Sequence, residues 1–170
     1  MGGWCTFFLL QLGLCAIILS MSFISNFTHR NYYIVGSETI MYIGVACDII
    51  SLIFIVVYAI SVISSFIKRK PIAIQLAMSY LFALFINAHC KILETILIPY
   101  TNITYTNIMG LLGDLICIIW SVIWLIYLYH SKHMEELFPL STRITKKTGY
   151  LPIALIVLPP VTWLLLVIVY

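Results

Sequence analysis

The sequence predicts an all-α, polytopic membrane protein: a helical bundle built from a four-helix unit plus a fifth, proline-interrupted C-terminal transmembrane segment. Three observations carry that reading. Hydrophobic residues make up 63% of the 170 and charged residues only 9%, which is too apolar for an ordinary soluble domain. The apolar residues fall into long continuous runs, each near or above the roughly 17 to 25 residues that a helix needs to cross a bilayer. Almost nothing between the runs is both long and polar, so a soluble domain of ~100 residues has no place. A β-barrel would instead show short strands of alternating polarity.

The first run, Trp4 to Ile24, has no basic region before it and no small-residue cleavage site after it. It is longer than a signal core, so it is expected to remain as an anchor. The second and third runs, Ile40 to Ile67 and Ile72 to Ile98, are separated only by Lys68-Arg69-Lys70-Pro71. A turn carrying that much charge must lie outside the lipid. The fourth run is Ile108 to Tyr129. After it, Ser131 to Gly149 mixes charges with Met134, Leu137, Phe138 and Leu140, the pattern of a short helix at the membrane surface, with Pro139 limiting its length. The last run, Leu151 to Tyr170, holds Pro152, Pro159 and Pro160. Its length suffices for a kinked crossing, which is preferred here over a re-entrant hairpin. The expected division is therefore 1–138, a four-helix transmembrane unit with a cytoplasmic interfacial tail, and 139–170, a cytoplasmic loop and the fifth segment.

Charge sets the orientation. Lys68, Arg69 and Lys70 mark the second loop, and Lys132, Arg143, Lys146 and Lys147 the fourth, whereas the first loop has Arg30 alone and the third has no Lys or Arg. The positive-inside rule then puts the two basic loops and the N-terminus in the cytoplasm. The net charge of +3 is what insertion requires, and no nucleic-acid footprint is read from it. Cys5, Cys15, Cys47, Cys90 and Cys117 all fall within apolar runs, so they read as packing residues rather than a disulfide framework.

The most informative residues are ionisable groups inside the runs: Asp48, Lys91, Glu94 and Asp114. At 1.5 Å per residue, Asp48 lies about 12 Å into the second run and Asp114 about 10 Å into the fourth, while Lys91 and Glu94 lie about 10 and 6 Å from the end of the third. All four fall near one level, toward the outer side. A charge at mid-depth costs about 2.5 to 3.5 kcal/mol, so facing inward and pairing is favoured over lipid exposure. Helical spacing agrees. Gly44, Asp48, Ser51 and Tyr58 share a face of the second helix; Tyr80, Ala83, Asn87, Lys91 and Glu94 one of the third; Gly110, Asp114, Cys117, Ser121 and Trp124 one of the fourth. The expected intramembrane polar layer is Asp48, Asn87, Lys91, Glu94 and Asp114. It could serve as a salt bridge that fixes the register of the bundle, a socket for a polar group of a partner helix, or a proton or ion relay.

Other signals are weaker. His130 and His133 with Glu135 and Glu136 have a metal-like spacing, but no cysteine or third histidine lies near them in sequence, and a charged surface turn is the simpler reading. His89 and Cys90 are adjacent and so point about 100° apart on a helix, which rules out a nucleophile and its base. Tryptophans and tyrosines near the segment ends, Trp163 and Tyr100 among them, read as interfacial anchors or packing. No phosphate-binding glycine loop, dinucleotide fingerprint or zinc-protease helix is present. No cofactor and no metal are expected.

Several short motifs form a set in order: Gly2-Gly3-Trp4 opening into the first run, Lys68-Arg69-Lys70-Pro71, then Trp124 and Tyr127 leading to Ser131-Lys132 and Phe138. The set resembles the family of small bacterial inner-membrane proteins known as domain of unknown function 2569, over about residues 2–138. His133 stands where that family prefers arginine, Glu135 and Glu136 make the tail less basic, and the fifth run lies beyond its usual four helices. The resemblance implies a four-helix bundle in a bacterial inner membrane with the N-terminus in the cytoplasm, and it implies no activity.

The expected function is therefore that of a non-enzymatic integral membrane protein, acting through association with other membrane proteins or with copies of itself as an accessory, assembly or protective subunit. Its partners are the lipid bilayer and such a protein, with no nucleic acid. The alternative is a small proton- or ion-coupled transporter or channel subunit using Asp48, Lys91 and Asp114. An intramembrane enzyme built on paired carboxylates ranks third, for want of a placed nucleophile or metal set.

Overall fold

The computed structural model describes residues 3–29, 38–97, 105–139, 141 and 145–169. Arg30, Tyr100, Leu140, Arg143 and Tyr170 lie outside the described residues. Among those described the protein is helical, with no strand. The helices are α1 (Gly3–His29), α2 (Glu38–Ile67), α3 (Ala73–Leu97), α4 (Tyr105–His130), the short α5 (Lys132–Leu137) and α6 (Leu151–Val169), the last entered through a 3₁₀ turn at Lys147–Tyr150. Among the described residues, four spans are long and apolar enough to cross a membrane: Tyr42–Ile67, Ala73–Leu97, Gly110–His130 and Lys147–Val169. Their many Ile and Val residues would be mediocre helix formers in water, but in lipid a helix is the form that satisfies every backbone group within one segment.

Helix ends are set by local chemistry. Beyond Ile67, α2 stops because Pro71 cannot continue it and disfavours helical geometry at Lys70. The stop is a Schellman motif: Lys70 N–H donates to Ser65 O at 2.8 Å and Arg69 N–H to Phe66 O at 3.0 Å, with Arg69 in the left-handed region at φ 46°. Ser131 caps α5, its hydroxyl accepting from Met134 N–H at 3.4 Å. The boundaries differ from the apolar runs by a few residues, since α1 continues past Ile24 to His29 and α2 begins at Glu38. A terminal polar turn can stay helical in the interface, so hydropathy alone underestimates the length.

The central helix is α3. Half of its span is buried, against 17 to 22% of the other three, and it packs on α2, α4 and α6. Ala73, Ala77, Ala83, Ala88 and Ser79 are buried along it, small residues that let neighbouring backbones approach. Its far neighbour α6 packs extensively on both α2 and α3, more than α1 does on α2. The C-terminal segment is thus a full member of the bundle. Its helix runs through both Pro159 and Pro160 without interruption.

Both basic segments meet at one end of the bundle. There the Phe66 ring, at the foot of α2, contacts Phe138 after α5 at 5.2 Å between centroids, and Met134 is fully buried. Gln75, in the first turns of α3, accepts from Lys146 N–H at 2.9 Å and donates to Lys146 O at 3.0 Å. Aromatic rings fill the same end: Phe8 of α1 lies 5.7 Å from Phe66 and 4.8 Å from Trp124 of α4, and Trp124 donates to Gln11 at 3.0 Å.

Candidate functional site

Asp48, Lys91 and Glu94, charged residues within the spans, gather toward the other end. Lys91 and Glu94 sit one turn apart on α3, so they share a face, and the Lys91 ammonium donates to Glu94 Oε2 at 2.9 Å. Asp48 reaches the same ammonium from α2 through its Oδ1. Glu94 and Asp48 are buried, at 4% and 9% exposure, and the Lys91 side chain is 21% exposed. One cation thus bridges two carboxylates on neighbouring helices, and removing it would leave both in a poor dielectric.

The second oxygen of Glu94 takes a different donor. Trp163 of α6 gives its indole N–H to Glu94 Oε1 at 2.9 Å and is itself buried. Space for that ring comes from Gly44, where an added Cβ would lie 2.8 to 2.9 Å from the Trp163 ring. Gly44 is one helical turn from Asp48, so α2 supplies both the gap and the charge.

A turn deeper, Ser51 donates to Ile156 O of α6 at 3.2 Å, with Asn87 Oδ1 3.4 Å away. The reason for the first bond is Pro160. Lacking an N–H, it leaves the carbonyl four residues earlier, that of Ile156, without its helical partner. A hydroxyl from the facing helix replaces it, as transmembrane helices with internal proline require.

Of the predicted layer, then, Asp48, Lys91 and Glu94 share one cluster and Asn87 stands one turn below it through Ser51. Asp114 is half-buried on α4, which packs along α3, and it too is engaged in an interaction. The basic residues Lys68, Arg69, Lys70, Lys132, Lys146 and Lys147 are all exposed. His133 Nδ1 lies 3.8 Å from Glu136 Oε2, and among the described residues no group of three His, Cys, Asp or Glu could hold a metal. The five cysteines are free thiols.

Two participants escaped sequence reasoning. Trp163 reads as an anchor in sequence yet is a buried donor; the available signals were Gly44 on α2 and the carbonyl freed by Pro160. The other is His89, exposed on α3. Two residues before Lys91, it points about 200° away, outward from the bundle. Its Nδ1 lies 2.8 Å from Phe85 O and its ring 4.3 Å from the Phe85 ring. A carbonyl only accepts, so Nδ1 carries the hydrogen toward it, and Nε2 is the polar atom left pointing outward.

Two shallow hollows open on the surface of the other half. One, of about 270 Å³, lies between α3 and α4 and is lined by Met78, Leu125, Ile126, Tyr129 and His130; the other, of about 320 Å³, lies beside Gly3, Trp4 and Phe7. Neither touches the Lys91 cluster. No family model matches the chain, and neither does any curated protein or solved structure.

Proposed function

We propose that this protein is a non-enzymatic integral membrane protein that works by associating with other membrane proteins, as an accessory, assembly or protective subunit. In this reading it sits in a bacterial inner membrane with its basic end in the cytoplasm. The 27-residue α1 adds a fifth crossing to the four spans, which leaves the C-terminus outside. The bacterial inner membrane is what the family resemblance implies, and the orientation follows from the charge asymmetry of the loops.

The observation that carries it is His89. It lies about 12 Å below the Leu97 end of α3, a helix about 37 Å long against a hydrocarbon core of about 30 Å, and in this reading it faces lipid with one ring nitrogen beyond its bond to Phe85 O. The imidazole is too short to reach the interface from there. A polar atom left in hydrocarbon costs a few kcal/mol, and a hydrogen-bonding side chain on a partner helix removes that penalty. The bundle's own charges contribute nothing to such a contact, because Lys91, Asp48 and Glu94 are committed to one another.

Purification at native expression in a mild detergent, with crosslinking, tests the proposal. A membrane protein should co-purify with the wild type and be lost from His89→Leu while helical content is unchanged. Recovery of both as the lone monomer would overturn the reading.

A second reading, a proton- or ion-coupled transporter or channel subunit, is favoured by one feature: the partial exposure of Lys91 within an otherwise buried charge cluster. Reconstituted vesicles that pass protons, and lose that flux in Asp48→Asn or Asp114→Asn, would move the protein to that class.

A further inference from the structure

At the basic end, we infer that the protein binds an anionic glycerophospholipid, its phosphate on Lys146 and Lys147 and one acyl chain in the hollow between α3 and α4. Orientation alone asks only for lysines in short loops; it does not ask that they be fastened to a particular helix. Here they are fastened. Both backbone groups of Lys146 are held by the Gln75 amide, and Gly149 leaves room for it, since a Cβ there would lie 2.5 to 2.8 Å from the Gln75 side chain. Gly149 N–H also closes back on Lys146 O at 2.9 Å, so the turn that presents the two lysines is tied from both directions.

The clamp lines up with the hollow. Gln75 and Met78 are one turn apart on α3 and belong to the same outward stripe, which continues through Phe82 and His89. Met78 lines the hollow with Leu125 and Ile126, and Tyr129 and His130 line it at the end of α4, the same end of the bundle as the lysines. A charged anchor thus stands about 5 Å of helix rise from a shallow apolar hollow on the bundle's outer surface. An acidic protein or a nucleic acid would satisfy the lysines and leave the hollow unused, whereas a lipid satisfies both. Lys70, whose carbonyl accepts from Ala73 N–H at 2.9 Å at the start of α3, and Lys132 add to the positive field. Glu135 and Glu136 on α5 are the acidic residues described at this end, and six basic residues outweigh them.

The test is native mass spectrometry of the full chain released from nanodiscs holding equal amounts of phosphatidylglycerol and phosphatidylcholine. The expected result is preferential retention of phosphatidylglycerol. Replacing Lys146 and Lys147 by Gln should lower that retention by about fivefold for each charge removed. Gln75→Ala changes no charge and should still lower it several-fold; Met78→Trp fills the hollow and should lower retention of either lipid. Circular dichroism establishes that each variant is folded, and if Gln75→Ala is not, the hollow and lysine variants decide. Equal retention of the two lipids overturns the inference. So does full preference in folded Gln75→Ala, unchanged retention in Met78→Trp, or displacement of the lipid by excess inorganic phosphate, which would make free phosphate the ligand.

Discussion

The two ends of the bundle are held together by opposite chemistry. Toward one, three helices converge on a charge cluster in which each contact has a direction: Asp48 and Glu94 to Lys91, Trp163 to Glu94, and Ser51 to the carbonyl freed by Pro160. At the basic end, α1, α2, α4 and the segment after α5 meet through Phe8, Phe66, Trp124 and Phe138, and those contacts ask mainly for volume. The difference teaches what each end contributes. Ring packing tolerates small rotations, so apart from the single Trp124 to Gln11 bond it joins these helices without fixing their register. The charge cluster works in one register only, because moving α6 by one residue carries Trp163 about 100° away from Glu94.

The comparison breaks most readily at Lys91. Lys91→Met leaves two carboxylates facing each other without their cation and should destabilise the protein by about 3 kcal/mol, the lower part of the range for a broken buried pair because the side chain is partly exposed. Replacing Asp48, Lys91 and Glu94 together by Asn, Met and Gln should recover most of that loss, since removing a whole buried charge set is far milder than orphaning its parts. Reversible unfolding in mixed micelles measures both. If the triple variant is as unstable as the single one, the cluster holds more than register. Phe66→Ala should follow at about 2 kcal/mol, below the usual loss for a core phenylalanine, because in lipid the packing is forfeited but much of the transfer from water is not. No companion substitution at the aromatic end should recover it short of another large ring.

How far these ends could be read from sequence follows the same divide. Long apolar runs gave the positions of α2, α3, α4 and α6 to within a few residues, because a chain in lipid has few alternatives to helix. Charges in hydrocarbon are rare and must pair, which is why Asp48, Lys91 and Glu94 stood out before any contact was known. Trp163 did not, since an indole near a segment end has an ordinary interfacial explanation. Its burial depends on α6 lying against both α2 and α3, a tertiary fact that no local pattern in Leu151–Val169 encodes. The basic residues were legible as topology, yet their attachment through Gln75 joins residues 71 apart in sequence, and a lone glutamine near a helix start gives no hint of it. The outward aim of His89 was available, because it follows from the same 100° step that aims Lys91 inward.

Gly44 sharpens the comparison further. Gly44→Ala puts a methyl group against the face of the Trp163 ring, and α6 must shift or the indole must turn. Either weakens the bond to Glu94, so a loss of about 1.5 kcal/mol is expected, within the range for overpacking. Trp163 fluorescence should shift to the red in a protein whose other tryptophans are replaced. An unshifted spectrum together with unchanged stability would mean that the ring has free room and that Gly44 serves nothing there.

Removing one polar atom from an aromatic ring should matter at one end and not at the other. Trp163→Phe keeps a ring beside Gly44 but removes the donor to buried Glu94, and a hydrogen bond to a charged group is worth about 1.5 kcal/mol or more, so stability should fall. Tyr80, fully buried on α3 nearer the basic end, has a hydroxyl with no hydrogen-bonding partner among the described residues. Tyr80→Phe deletes that unsatisfied group at nearly constant volume and should leave stability unchanged or raise it by up to about 1 kcal/mol. The same chemical change, one polar atom taken from an aromatic side chain, is thus predicted to harm the directional end and spare the volumetric one. Equal losses from both substitutions would show that Tyr80 has a partner after all and would erase the distinction between the two halves.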